Sequence, residues 1–142
     1  MKKSYSIAIG AGIAVVVIGI IIFSSSGMSS NSAPYTAKTS IKPTEIQATE
    51  IDETYRWESQ DSKINPTLTF VANTENVIKV KNTTDEKHEF VIESDGKEFA
   101  ASGDVTPDGS KQFSFNAPSG TYEYHCEYHP TTMKGTIVVT EK

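Results

Sequence analysis

The chain has 142 residues, 18 acidic and 13 basic side chains, a formal charge of −5 and one cysteine. That length suits one domain once its ends are discounted. The negative balance disfavours nucleic acid and anionic lipid as ligands, and a lone cysteine excludes an internal disulfide.

Lys2 and Lys3 precede "IAIGAGIAVVVIGIIIF", seventeen residues without a charge or a strong hydrogen-bonding side chain. Counted back to Ser4, the run reaches the ~20 residues that a helix needs to span a bilayer core. The segment 1–23 is therefore expected to be a transmembrane anchor. Its lysines would stay on the cytoplasmic side, placing the rest of the chain on the extracytoplasmic face. The rival reading is a cleaved signal peptide, for which "FSSSGMSS" offers small residues but the apolar run is too long.

Residues 24–49 are rich in Ser, Thr, Ala and Pro and read as a flexible linker. Only "TEIQATEI" near its end hints at a further strand. All 18 acidic residues lie at or beyond Glu45 with nine of the 13 basic ones, so this part carries −9. A basic protein partner would suit it, and so would an ordinary solvated acidic surface.

From residue 50 to 142 the sequence alternates with period two. Tyr55 and Trp57 share one face, as do Leu68 and Phe70, Ile78 and Val80, and His88, Phe90 and Ile92. Phe113 pairs with Phe115, and Ile137 with Val139. "NTEN", "NTTDEK", "SDGK", "TPDGS" and "APSG" separate the runs as turns. Short alternating strands with regular turns predict an all-β domain, an antiparallel β-sandwich with Greek-key connections. Trp57 and the paired phenylalanines are expected to fill its core.

The chemistry gathers in "YEYHCEYHPTTMKG", residues 122–135, with the one cysteine and two of three histidines. Alternation turns Tyr122, Tyr124 and Cys126 inward and His125 outward, which makes His125 a surface residue. His129 follows beyond the strand end, where a turn can return its ring over the sulfur. Met133 comes four residues later. His88, inward beside Phe90, is the remaining histidine and the candidate for a ligand from a distant strand.

One thiolate, two imidazoles and a thioether form a soft set. Two His and one Cys with a long axial Met describe a blue-copper electron-transfer site. Zinc is the main rival, although a thioether is a poor fourth donor for it. Catalytic zinc with an open position lacks a well-placed general base. A Cys–His nucleophile would need a third orienting group and a cleft. Copper storage or delivery without a redox role remains a further alternative.

"VIKVKNTTDEKHEFVI" followed by "FNAPSGTYEYHCEYHPTTMKGTIVV" resembles the cupredoxin family of small blue copper proteins, over roughly residues 65–140. The resemblance implies a cupredoxin-like sandwich, one mononuclear type 1 copper, and single-electron transport between protein redox partners rather than catalysis. It implies His88, Cys126 and His129 as equatorial ligands and Met133 as the axial one. It also implies that Asn82 ties the two ligand loops together, and that His129 is the electron port within an apolar patch for which Tyr128 and Pro130 are candidates. One departure stands out. Relatives with two residues between Cys and His usually have two or four before the Met, whereas this chain has three, Pro130 to Thr132. An axial position left open by that spacing would bind or transform small molecules such as nitrogen oxides.

Overall fold

The computed structural model describes residues 41–142, so the expected anchor and most of the expected linker lie outside the described residues. Among the described residues there is no helix long and apolar enough to cross a membrane.

Nine strands follow one another: β1 (Thr44–Ile51), β2 (Thr54–Ser59), β3 (Leu68–Val71), β4 (Asn76–Asn82), β5 (Phe90–Ser94), β6 (Lys97–Ala101), β7 (Ser110–Phe115), β8 (Gly120–Cys126) and β9 (Lys134–Thr140). They form a four-stranded sheet ordered β2-β1-β4-β7 and a five-stranded sheet ordered β3-β9-β8-β5-β6.

Two expectations need correction. The folded domain starts before residue 50, because Thr44–Ile51 is a full strand in the first sheet. Ile46 and Ala48 alternate into the core there, and two buried residues among Thr, Glu and Gln are too weak a pattern to outweigh the polar composition. The sandwich is also mixed rather than purely antiparallel. β1 pairs parallel with β4, and β3 pairs parallel with β9. Each parallel pair joins strands far apart in sequence, as parallel neighbours must be, since only antiparallel strands can be linked by a tight hairpin.

Local chemistry explains the hairpins. Asp95 and Gly96 both take positive φ between β5 and β6, the pairing that a two-residue reversal favours. Asp52 and Glu53 do the same between β1 and β2 without a glycine.

The inward faces meet in one core. Trp57 lies edge-on to Phe90 at 5.2 Å, and Phe90 stacks on Tyr124 at 4.8 Å. All three are fully buried, and each ring of this kind contributes about 2–3 kcal/mol by leaving water. The Tyr124 hydroxyl donates to Pro66 O at 2.6 Å, on the segment leading into β3 of the same sheet. The ring at the end of this stack is His88 rather than another apolar side chain, 6.1 Å from Trp57.

Candidate metal centre

Cys126 is the last residue of β8, and the alternation that buries Tyr122 and Tyr124 buries its thiol as well. Its register partner on β5 is Phe90. His88 sits two residues before β5, where a two-way backbone bridge with Val105 fixes it (N to O 3.1 Å and 2.7 Å). Between β8 and β9 the chain closes tightly. Cys126 N donates to Met133 O at 2.8 Å, and His129 N to Cys126 O at 3.2 Å. Thr132 N and Met133 N donate back to His129 O at 3.3 and 3.0 Å. That turn carries the His129 ring back toward the sulfur.

The donor atoms converge. Cys126 Sγ is 3.6 Å from His88 Nδ1 and 3.9 Å from His129 Nδ1, and the three donors lie within 4.8 Å of one another. Nitrogen and sulfur ligands about 2.0 and 2.3 Å from a shared ion, at trigonal angles, stand about 3.7 Å apart. Both sulfur–nitrogen separations therefore match those expected around one shared ion. Among the described residues the cluster is the one group of three such side chains this close. Met133 is fully buried in the core.

His125 faces the outer side of the sheet, 3.9 Å from Glu93 and 3.9 Å from Glu127, away from the donor cluster. Tyr128 is exposed but belongs to a polar group: its hydroxyl donates to Asp104, which also pairs with Lys87 at 2.9 Å. Lys87 in turn lies 4.6 Å from the Tyr128 ring centroid. Pro130 is exposed on the loop.

Asn82 acts on one ligand loop, not on both. Its Nδ2 donates to Glu86 O at 2.7 Å and Val105 O at 3.0 Å, and its Oδ1 accepts from Thr84 N and Thr84 Oγ1 at 3.0 and 2.9 Å. Two carbonyls face the amide nitrogen, so its orientation is unambiguous. With the Thr84 hydroxyl proton directed to Asn82, the Thr84 oxygen is free to accept from His88 Nε2, 2.8 Å away. A proton on Nε2 leaves the Nδ1 lone pair aimed at the cluster, the tautomer that a metal ligand needs. Thr84 was invisible as a site residue in the sequence, since a threonine in a turn carries no signal of its own.

Other groups tie the two ligand loops. Glu127 N donates to Glu89 O at 3.2 Å, and the exposed Lys87–Asp104–Tyr128 group spans from the residue before His88 to the residue before His129. From the far side, Asn65 Nδ2 donates to Thr132 O at 2.9 Å and Arg56 reaches the same oxygen at 3.4 Å. These contacts hold the three-residue stretch before Met133 against β2.

Burial, then repulsion from His129, lowers the His88 pKa to about 4. The neutral imidazole is thus ready to bind metal without losing a proton. An unfolded histidine titrates near 6.5, so its native value is depressed. In the metal-free chain this contribution is complete above pH ~6.5 and is lost as pH falls toward ~4, costing about 3 kcal/mol over that window. Urea unfolding of metal-free protein at pH 7 and pH 4.5 should show that drop, and a His88→Gln variant should lose that part of the pH dependence. Burial likewise pushes the Cys126 thiol up, against the backbone N–H groups of Glu89, Tyr128 and His129, which favour the thiolate.

A family model described as a cupredoxin-like domain matches residues 14–139. No curated protein matches the chain. Among solved structures, reduced rusticyanin is 27% identical, with 71% of this chain and 81% of that one aligned at a TM-score of 0.57. Rusticyanin from Thiobacillus ferrooxidans is 24% identical over 71% of this chain and 79% of its own, with a TM-score of 0.57. Auracyanin A, a "blue" copper protein from the green thermophilic photosynthetic bacterium Chloroflexus aurantiacus, is 19% identical over 70% of this chain and 100% of its own, with a TM-score of 0.53. At those identities the last two show a shared fold alone.

Proposed function

The chain belongs to the cupredoxin-like family, and on that premise we propose that it is a membrane-tethered blue copper protein carrying single electrons between protein partners. The observation that carries this reading is the convergence of His88 Nδ1, His129 Nδ1 and Cys126 Sγ on one point at the end of the sandwich. His88, Cys126 and His129 would hold the ion, with Met133 as the fourth ligand. Copper, when bound, supplies a single-electron Cu(I)/Cu(II) couple.

The chain's own residues set the conditions for that exchange. Thr84 and Asn82 fix the His88 tautomer, and the sandwich core excludes water from the inner side of the cluster. Asn65 and Arg56 keep the His129–Met133 turn in place. A site fixed by so many backbone contacts rearranges little between oxidation states, which favours rapid transfer. Titrating the purified full chain with Cu(II) should raise an intense visible band that one equivalent saturates and ascorbate bleaches. A colourless product would contradict the reading.

The uncharged run after Lys3 supports the tether, and the −9 charge beyond Glu45 supports a partner with a basic docking surface. Carbonate-resistant sedimentation with membranes tests the first. A transfer rate to a cationic redox partner that falls with added salt tests the second.

A second reading, an open axial position that binds or transforms small molecules, is favoured by one observation: the three residues between His129 and Met133. The full burial of Met133 favours the electron carrier instead. Azide, nitrite and nitric oxide are expected to leave the visible and paramagnetic spectra of the copper-loaded chain unchanged, whereas Met133→Ala should alter them. Spectral shifts with the small ligands, together with a silent Met133→Ala, would favour the open site.

A further inference from the structure

The two candidate imidazoles are held in different ways. His88 is pinned at its far nitrogen by Thr84 and along its backbone by Val105. The His129 backbone is pinned by Cys126 O and by the amides of Thr132 and Met133. Its ring has no such anchor. Apart from the 3.9 Å approach of Nδ1 to the sulfur, no hydrogen bond reaches the His129 ring among the described residues. An imidazole turns about two side-chain bonds, so packing alone must stop this one from swinging out.

The packing comes from Tyr55. Its ring centroid lies 4.8 Å from that of His129 and 5.1 Å from that of His88, and the two imidazoles are 5.0 Å apart. The interplanar angles are 60°, 70° and 47°, so Tyr55 meets both imidazoles edge against face while the two imidazoles tilt against each other, closing a triangle. Tyr55 is itself fixed at both ends. Its backbone pairs with Glu50 across β1 and β2, and its hydroxyl donates to Asp85 Oδ1 at 3.0 Å on the turn leading to His88. The third corner of the triangle is thus a rigid wall.

We propose that Tyr55 is a positioning residue for the metal centre: its ring holds the His129 imidazole with Nδ1 aimed at the Cys126 sulfur, before a metal arrives as well as after. The proposal rests on His129 being a ligand. Without the ring, His129 spends part of its time turned away, and an ion there is held by one strong donor fewer. Residues that orient metal ligands typically affect affinity by about 10- to 100-fold.

The test uses the full chain with Tyr55→Phe, Tyr55→Leu and, as a strand-favouring second truncation, Tyr55→Val. The first readout is imidazole NMR of the metal-free protein, and the second is the rate of Cu(I) transfer from loaded protein to bicinchoninate. Tyr55→Phe keeps the ring and is expected to stay within about twofold of the parent in release rate, since ring contact alone is at issue. Tyr55→Leu and Tyr55→Val are expected to show several exchanging His129 ring environments, an unchanged His88 ring, and release about 10- to 100-fold faster. A single His129 orientation with the parent release rate in both truncations would overturn the proposal. So would a Tyr55→Phe variant as impaired as the truncations, because the Asp85 tether and not the ring would then be responsible. Failure of the parent chain to take up copper would refute the ligand reading, and the metal-free NMR comparison would still decide what Tyr55 does to His129.

Discussion

Cys126→Ser abolishes the intense visible absorption of the copper-loaded chain and leaves the sandwich folded. The colour of such a site comes from charge transfer between a thiolate and Cu(II), and Cys126 is the one thiol in the chain. Burial keeps the metal-free thiol protonated at neutral pH, so a serine hydroxyl replaces a neutral group of similar shape. The fold should lose on the order of 1 kcal/mol, from a hydroxyl less well partnered than in water. Circular dichroism and the visible spectrum separate the two effects. A coloured Cys126→Ser protein would end the assignment, and a variant that fails to fold would show that the thiol matters to the sandwich itself.

Asn82→Ala produces the second large effect, on stability and metal affinity together. Asn82 makes four hydrogen bonds while almost fully buried. Alanine removes all four bonds: Thr84 N loses its acceptor, Val105 O keeps only His88 N, Glu86 O keeps only a 3.3 Å contact with the Thr84 hydroxyl, and that hydroxyl is free to rotate. A hydrogen bond contributes about 0.5–1.5 kcal/mol net, so losing four is expected to cost about 3–4 kcal/mol in urea unfolding. The freed hydroxyl can then donate to His88 Nε2 instead of accepting from it. That favours the wrong imidazole tautomer, and copper affinity should fall about 10- to 100-fold. A variant with parent-like copper affinity would show that Asn82 supports only the fold.

Alternation carried the sequence reading a long way. It placed Cys126 and His88 inward and His125 outward because a strand leaves no freedom in which face a residue takes. It could not supply partners, since period two fixes a face and not a neighbour. The parallel β1–β4 and β3–β9 pairings were therefore hidden, while the strand within "TEIQATEI" showed only as a hint that the polar composition outweighed. Asn82 was singled out as a link between the two loops, but its side chain bonds Thr84 and Glu86 on the turn before His88 and Val105 between β6 and β7, and nothing on the His129 loop. The bonds that join the two ligand loops run through Glu127 and Glu89 backbone and through Lys87, Asp104 and Tyr128. Nothing in local sequence marks these groups.

Tyr55 shows the same limit in another form. It shares the inward face of β2 with Trp57, which reads as core packing. Trp57 does meet Phe90, yet Tyr55, one pleat nearer the metal end, meets two imidazoles instead. The face was legible, and what occupied it depended on where two distant loops converge. Thr84 is the parallel case: its hydroxyl matters because His88 stands 2.8 Å away, a fact of loop geometry rather than residue type.

X-ray absorption at the copper edge, on the full chain loaded with one equivalent, tests the central claim most directly. One short sulfur and two imidazole nitrogens around a single copper are expected, with the sulfur shell lost in Cys126→Ser. A shell of nitrogen and oxygen without sulfur, or a chain that retains zinc and refuses copper, would contradict it.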